Sequence, residues 1–170
     1  MSQQLAVQIG TLLRENGLRL ALAESCTGGL IGDRITNVPG SSEYFVGGVV
    51  AYSYEAKAAL LGVSWDTLNS RGAVSREAVL EMARGARKAM TADVALAISG
   101  IAGPGGGTIE KPVGTTWVGI AAEGEERARE FCFSGDRLQN KSFAADAALQ
   151  MLFDFLRANR AAPGLDQKAS

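Results

Sequence analysis

A chain of 170 residues with no histidine has a restricted choice of side-chain chemistry. A Ser-His-Asp or Cys-His apparatus is impossible within one such chain, and His-based zinc sites are excluded with it. Acid–base work falls to Lys, Tyr, Asp, Glu or Cys. Three segments then stand out. In Glu24-Ser25-Cys26-Thr27-Gly28-Gly29, Ser25 occupies an expected strand-to-helix turn. A serine there can attack a carbonyl while free N–H groups at the helix start hold the oxyanion. The same residues also suit a plain helix cap, with the glycines allowing close packing. In Tyr52-Ser53-Tyr54-Glu55-Ala56-Lys57, a lysine near a helix start opposes the dipole. With partial burial it releases its proton more readily and can act as a general base; a solvated surface lysine is the competing reading. The third segment runs from Ser99-Gly100-Ile101-Ala102-Gly103-Pro104-Gly105-Gly106-Gly107 to Lys111-Pro112-Val113-Gly114-Thr115. Its glycines can expose N–H groups to a ligand such as a phosphate, or form a mobile surface loop. It matches neither a Walker A loop nor the dinucleotide fingerprint. Taken together, and without histidine, the segments suggest a serine activated by a lysine. Cys26 is the rival nucleophile, since a helix start favours a thiolate.

These groups need elements to hold them. The periodicity predicts helices over 3–16, 27–36, 53–61, 64–69 and 138–157, with another capped by Ser75. Strands are predicted over 18–23, 45–52, 94–99, 115–122 and 127–133. The expected inner face of the first helix is Leu5, Ile9, Leu12 and Leu13. That of the Ser75-capped helix is Val79, Ala83, Ala86 and Met90. The last helix should bury Ala145, Ala148, Leu149, Leu152, Phe153 and Leu156. Helices alternating with strands, closed by a hairpin, predict one three-layer α/β/α domain over 1–160 with a mixed, mainly parallel sheet, followed by a frayed tail at 161–170. All three segments then fall just past the carboxyl ends of strands, where open α/β sheets bind ligands.

Bulk properties set the outer bounds. Seventeen basic and eighteen acidic residues leave a net charge of −1, which gives no electrostatic reason to expect nucleic acid or an anionic membrane as partner. No apolar run is long enough for a membrane span. The two cysteines, Cys26 and Cys132, are too few for a disulfide framework and lack metal-ligand spacing, so a reduced, cytoplasmic setting is expected. Apolar area on the hairpin edge would suit a homodimer or higher homo-oligomer.

Five motifs in order, Glu24–Gly29, Tyr52–Lys57, Ser99–Pro104, Lys111–Thr115 and Phe133-Ser134-Gly135-Asp136-Arg137, resemble the CinA C-terminal family over about residues 4–157. Active members of that family are nicotinamide-nucleotide amidases. The resemblance implies hydrolysis of nicotinamide mononucleotide (NMN) to nicotinate mononucleotide and ammonia, with a small-molecule nucleotide as partner and neither cofactor nor metal. Ser25 matches the family nucleophile, Lys57 its partner lysine and Tyr52 the nearby tyrosine. The Gly100–Gly107 loop and Arg137 look like substrate-binding parts, with Thr27, Gly28, Gly100, Gly103, Gly105 and Thr115 as candidate contacts. Larger members carry an additional N-terminal domain, and this chain resembles the stand-alone form. Two departures stand out. Asn140-Lys141 replaces a usual Val-Arg pair, exchanging a bidentate fork for a point charge. Tyr54 occupies a position that often holds a smaller polar residue. The expected mechanism is proton transfer from Ser25 to neutral Lys57, directly or through Tyr52, with Glu24 orienting or pairing with Lys57 and Asp136 capping the last helix or positioning Arg137. A non-catalytic nucleotide-binding module and a metal-dependent phosphate-ester hydrolase are the alternatives.

Overall fold

The computed structural model of the chain describes residues 2–159. Its elements run α1 Ser2–Glu15, β1 Leu20–Glu24, α2 Leu30–Thr36, a short 3-10 turn Ser41–Glu43, β2 Phe45–Val50, α3 Tyr54–Leu61, α4 Trp65–Ser70, α5 Arg76–Ala89, β3 Val94–Gly100, β4 Thr115–Ala122, β5 Glu125–Cys132 and α6 Arg137–Asn159. The expected tail lies outside the described residues. The strands form one mixed sheet in the order β2-β1-β3-β4-β5. β2, β1 and β3 are parallel, and β4 and β5 continue antiparallel as the hairpin.

Alternation along the central strands sorts the sheet into two unlike faces. Leu20, Leu22, Val94, Leu96, Ile98, Val118 and Ile120 point into a core with α1, α2 and α6. Ala21, Ala23, Ala95, Ala97 and Ala121 point the other way, against α5 and the residues around α3 and α4. Small side chains on this second face bring its helices close. The closest approach is at Gly85 in α5, where a Cβ would collide with the Leu61 carbonyl at the end of α3. This packing fixes α3, and with it Lys57.

Helix ends follow the expected chemistry. Ser53, Ser64 and Ser75 each accept the N–H three residues on, capping α3, α4 and α5. Some expectations need correction. The second helix starts at Leu30, not Thr27, because Gly28 and Gly29 take positive φ of 65° and 99° that end the turn before any helix can begin. In α6 the buried residue is Phe155, while Phe153 is only partly covered. The hairpin edge is charged, with Glu126, Arg127, Arg129 and Glu130 exposed along β5, which blunts an open edge against pairing. Among the described residues no helix is long and apolar enough to cross a membrane.

Gly85→Ala tests the α3–α5 contact. Forcing a methyl group against the Leu61 carbonyl should cost about 1–3 kcal/mol. A lowered denaturation midpoint at unchanged m-value is the expected reading.

Candidate active site

The chain order β1, β2, β3 places β2 and β3 on opposite sides of β1, so a crevice opens at the carboxyl ends of β1 and β3. Ser25 follows β1 there, and its N–H continues the ladder to Ile98 O at 3.0 Å. Ser99 and Gly100 end β3 beside it.

The adjacent residues Glu24 and Ser25 serve opposite layers. Glu24, 3% exposed, turns to the α2 side. Its carboxylate accepts the Thr27 hydroxyl at 2.6 Å and the N–H groups of Gly29, Ile31 and Gly32 at 3.0, 3.1 and 2.8 Å. Those are donors a helix start leaves unpaired. Of the roles open to Glu24, the structural one is seen: its hydrogen bonds go to the start of α2 and none goes to Lys57 among the described residues. Thr27 belongs to this same cap. Among the described residues, no carbonyl takes the N–H of Cys26 or Thr27.

Ser25 turns to the other layer and meets Lys57. The lysine is 1% exposed. Its Nζ lies 2.9 Å from Ser25 Oγ, 2.8 Å from Ala51 O and 3.2 Å from Tyr52 O. Burial pushes the amine below the usual lysine range, with Cys26 acting in the opposite sense. A neutral amine has two N–H donors and one lone pair. In that form the two carbonyls can take both donors and leave the lone pair to the Ser25 hydroxyl. Glu55 lies nearby on α3 but points to solvent.

Tyr52 contributes its backbone to Lys57 and its side chain elsewhere. The ring is 61% exposed, and its hydroxyl accepts from Arg137 Nη2 at 3.0 Å. Arg137 Nη1 donates to Gly103 O at 2.7 Å, which ties the start of α6 to the glycine loop. Asp136 and Gln139 cap α6 reciprocally, each N–H donating to the other's side chain at 2.9 and 2.8 Å. Asn140, one of the departures, accepts from Gly135 N and donates to Ala102 O; it adds a second tie to the loop.

A cleft of about 250 Å³ joins these groups. Ser25, Lys57, Tyr52 and Arg137 line it with Gly100, Gly103 and Gly105. Thr27, Gly28 and Thr115 do not line it; Gly28 lies nearer Lys141. Three lining residues escaped the sequence reading. Ala73 and Val74 come from the turn before α5, and the hydroxyl of the buried Ser99 makes no hydrogen bond among the described residues. Strand parity could have found Ser99, since Ala95, Ala97 and Ser99 continue the face that Ser25 shares. A larger groove of about 550 Å³ lies between α1 and α6. Among the described residues no group of three His, Cys, Asp or Glu side chains could hold a metal.

A model of the CinA C-terminal domain matches residues 2–156. The chain belongs to the CinA C-terminal domain family. It is 52% identical over 151 residues to the nicotinamide-nucleotide amidohydrolase PncC of Escherichia coli, covering 88% of this chain and 92% of that protein. It is equally identical to a putative competence-damage inducible protein of Halothermothrix orenii, of which it spans only 37%. Several other curated family members are likewise much longer than this chain. Crystal structures of family members from Klebsiella pneumoniae and Agrobacterium tumefaciens superpose with TM-scores of 0.90 and 0.88 at 34% and 40% identity, covering 93% and 92% of this chain and 99% and 95% of theirs.

The cap on α2 yields a prediction. Glu24→Gln replaces an acceptor of four donors with an amide that presents its own N–H groups to some of them. A loss of about 1.5–3 kcal/mol, the scale for hydrogen bonds to a charged group, should appear in the unfolding midpoint.

Proposed function

We propose that this protein is a nicotinamide-nucleotide amidohydrolase that converts NMN and water to nicotinate mononucleotide and ammonia through a Ser25 acyl-enzyme. The observation that carries the reading is the 2.9 Å contact between Ser25 Oγ and the buried Lys57 amine. The similarity to PncC supplies the substrate. As the Ser25 Oγ–carbon bond forms at the carboxamide, the hydroxyl proton passes directly to Lys57. The N–H groups of Cys26 and Thr27, which no backbone carbonyl takes among the described residues, are assigned to the oxyanion in this scheme. Lys57 then returns the proton to the departing nitrogen as the C–N bond breaks. Neutral Lys57 next deprotonates a water, which cleaves the ester and regenerates Ser25.

Tyr52 acts on substrate in this scheme, offering its exposed ring to the cationic pyridinium. Arg137 and the Gly103, Gly105 and Gly106 N–H groups, which no carbonyl takes among the described residues, face the nucleotide. The unpaired Ser99 hydroxyl is available to the carboxamide. Cys26 is not the nucleophile in this scheme: burial, with Glu24 adding to it, pushes its thiol up to about 11.

Ser25→Ala and Lys57→Met should each lower ammonia release from NMN by about 10²- to 10⁴-fold, the range for losing acid–base catalysis. Cys26→Ser should stay near wild type. Turnover at wild-type level in either of the first two variants would sink the dyad.

The sign of the pH dependence follows from the base being the neutral amine. kcat/KM should rise with pH as Lys57 loses its proton and then level off, with a midpoint below the ordinary lysine value of 10.5. A profile flat across this range would remove Lys57 as the base.

A further inference from the structure

The turn between α4 and α5 walls the cleft through Ala73 and Val74, yet it belongs to none of the segments that carry chemistry. Side chains from three elements hold it. Lys111, on the far limb of the glycine loop, donates Nζ to Arg71 O at 2.6 Å. Tyr54, one helical turn before Lys57 on α3, accepts the Ala73 N–H at its hydroxyl at 3.3 Å. Ser75 donates its hydroxyl to Gly72 O at 2.8 Å. Lys111 Nζ and Tyr54 Oη converge on one point, each 3.7 Å from where a Cβ on Gly72 would sit.

The backbone of Lys111 is tied into its own turn. The Thr108–Lys111 turn is closed by Thr108 N to Lys111 O at 2.8 Å and Lys111 N to Thr108 Oγ1 at 3.0 Å. Next to it, Ile109 is fully exposed and makes no anchor. Lys111 Nζ thus links the limb after Gly107 to the turn between α4 and α5, while Ile101 and Gly114 pair at the loop base.

We infer that Lys111 and Tyr54 are positioning residues that set the width of the nucleotide cleft by pinning the turn that carries the Ala73–Val74 wall, Lys111 at Arg71 O and Tyr54 at Ala73 N. The inference rests on the proposed reaction for its substrate. It also gives Tyr54, where this chain departs from the family pattern, a definite task that a small polar side chain could not reach. Neither residue lines the cleft, so each acts through the wall rather than on the reacting atoms.

The test is steady-state ammonia release from NMN, with NMN affinity measured in parallel by calorimetry. Lys111→Met should raise KM and Kd by about 5- to 10-fold, the equivalent of one hydrogen bond of ordinary net strength, with kcat and the unfolding midpoint little changed. Lys111→Arg, which keeps a donor, should restore both constants. Tyr54→Phe should act in the same direction. The double variant should fall short of the product of the single effects, because both side chains hold one turn. Unchanged KM and Kd in Lys111→Met, or a parallel fall of kcat and stability, would overturn the inference, as would full multiplicativity of the pair. NMN binding without ammonia release in wild type would sink the hydrolytic reading alone, leaving the wall to be judged by Kd.

Discussion

A lysine amine taken out of water imposes conditions on everything around it. Its N–H groups must find acceptors, and an unpaired charge in that position costs several kcal/mol. Here Ala51 O, Tyr52 O and Ser25 Oγ surround Lys57 Nζ. The two carbonyls belong to the segment that leaves β2 and enters α3, so the acceptors are fixed by the same cap, at Ser53, that starts the helix bearing the lysine. The serine arrives from β1, whose register against β3 is continued by its own N–H. Burial weakens the proton's hold, and the carbonyls fix where Nζ sits. The pair is therefore a consequence of strand register and helix packing, not of flexible side chains meeting.

Parity explains how one short motif serves two purposes. Residues i and i+1 of a strand face opposite layers, so Glu24 and Ser25 part company at the sheet edge. Glu24 gathers the donors of α2 and stiffens the Gly28–Gly29 turn. No backbone carbonyl takes the N–H groups of Cys26 and Thr27 among the described residues. The hydrogen bonds of the carboxylate go to the start of α2, while the serine beside it meets the lysine.

The other cleft walls are tied by polar contacts between distant segments. Arg137 and Asn140 hold the glycine loop from α6, and Lys111 holds the far turn from the loop. All of these residues lie within the stretch matched by the family, including its much longer members. The geometry of the site is thus carried by this domain's own elements.

The sequence by itself determined the layer scheme, since alternating Leu and Ala in β1 and β3 can satisfy only a sheet with a large-residue face and a small-residue face. It also determined the candidates: the absence of histidine narrowed the base, and Ser25, Lys57 and Arg137 stood out by position and motif. The tertiary structure decided what each group touches. Chain spacing did not show that Glu24 would take the α2 donors, that Tyr52 would turn its hydroxyl to Arg137, or that the turn at 71–74 would close the cleft. Local pattern encodes which face a side chain occupies. Which donor meets which acceptor across 32 or 40 residues is set only when the layers pack and every buried polar group must find a partner.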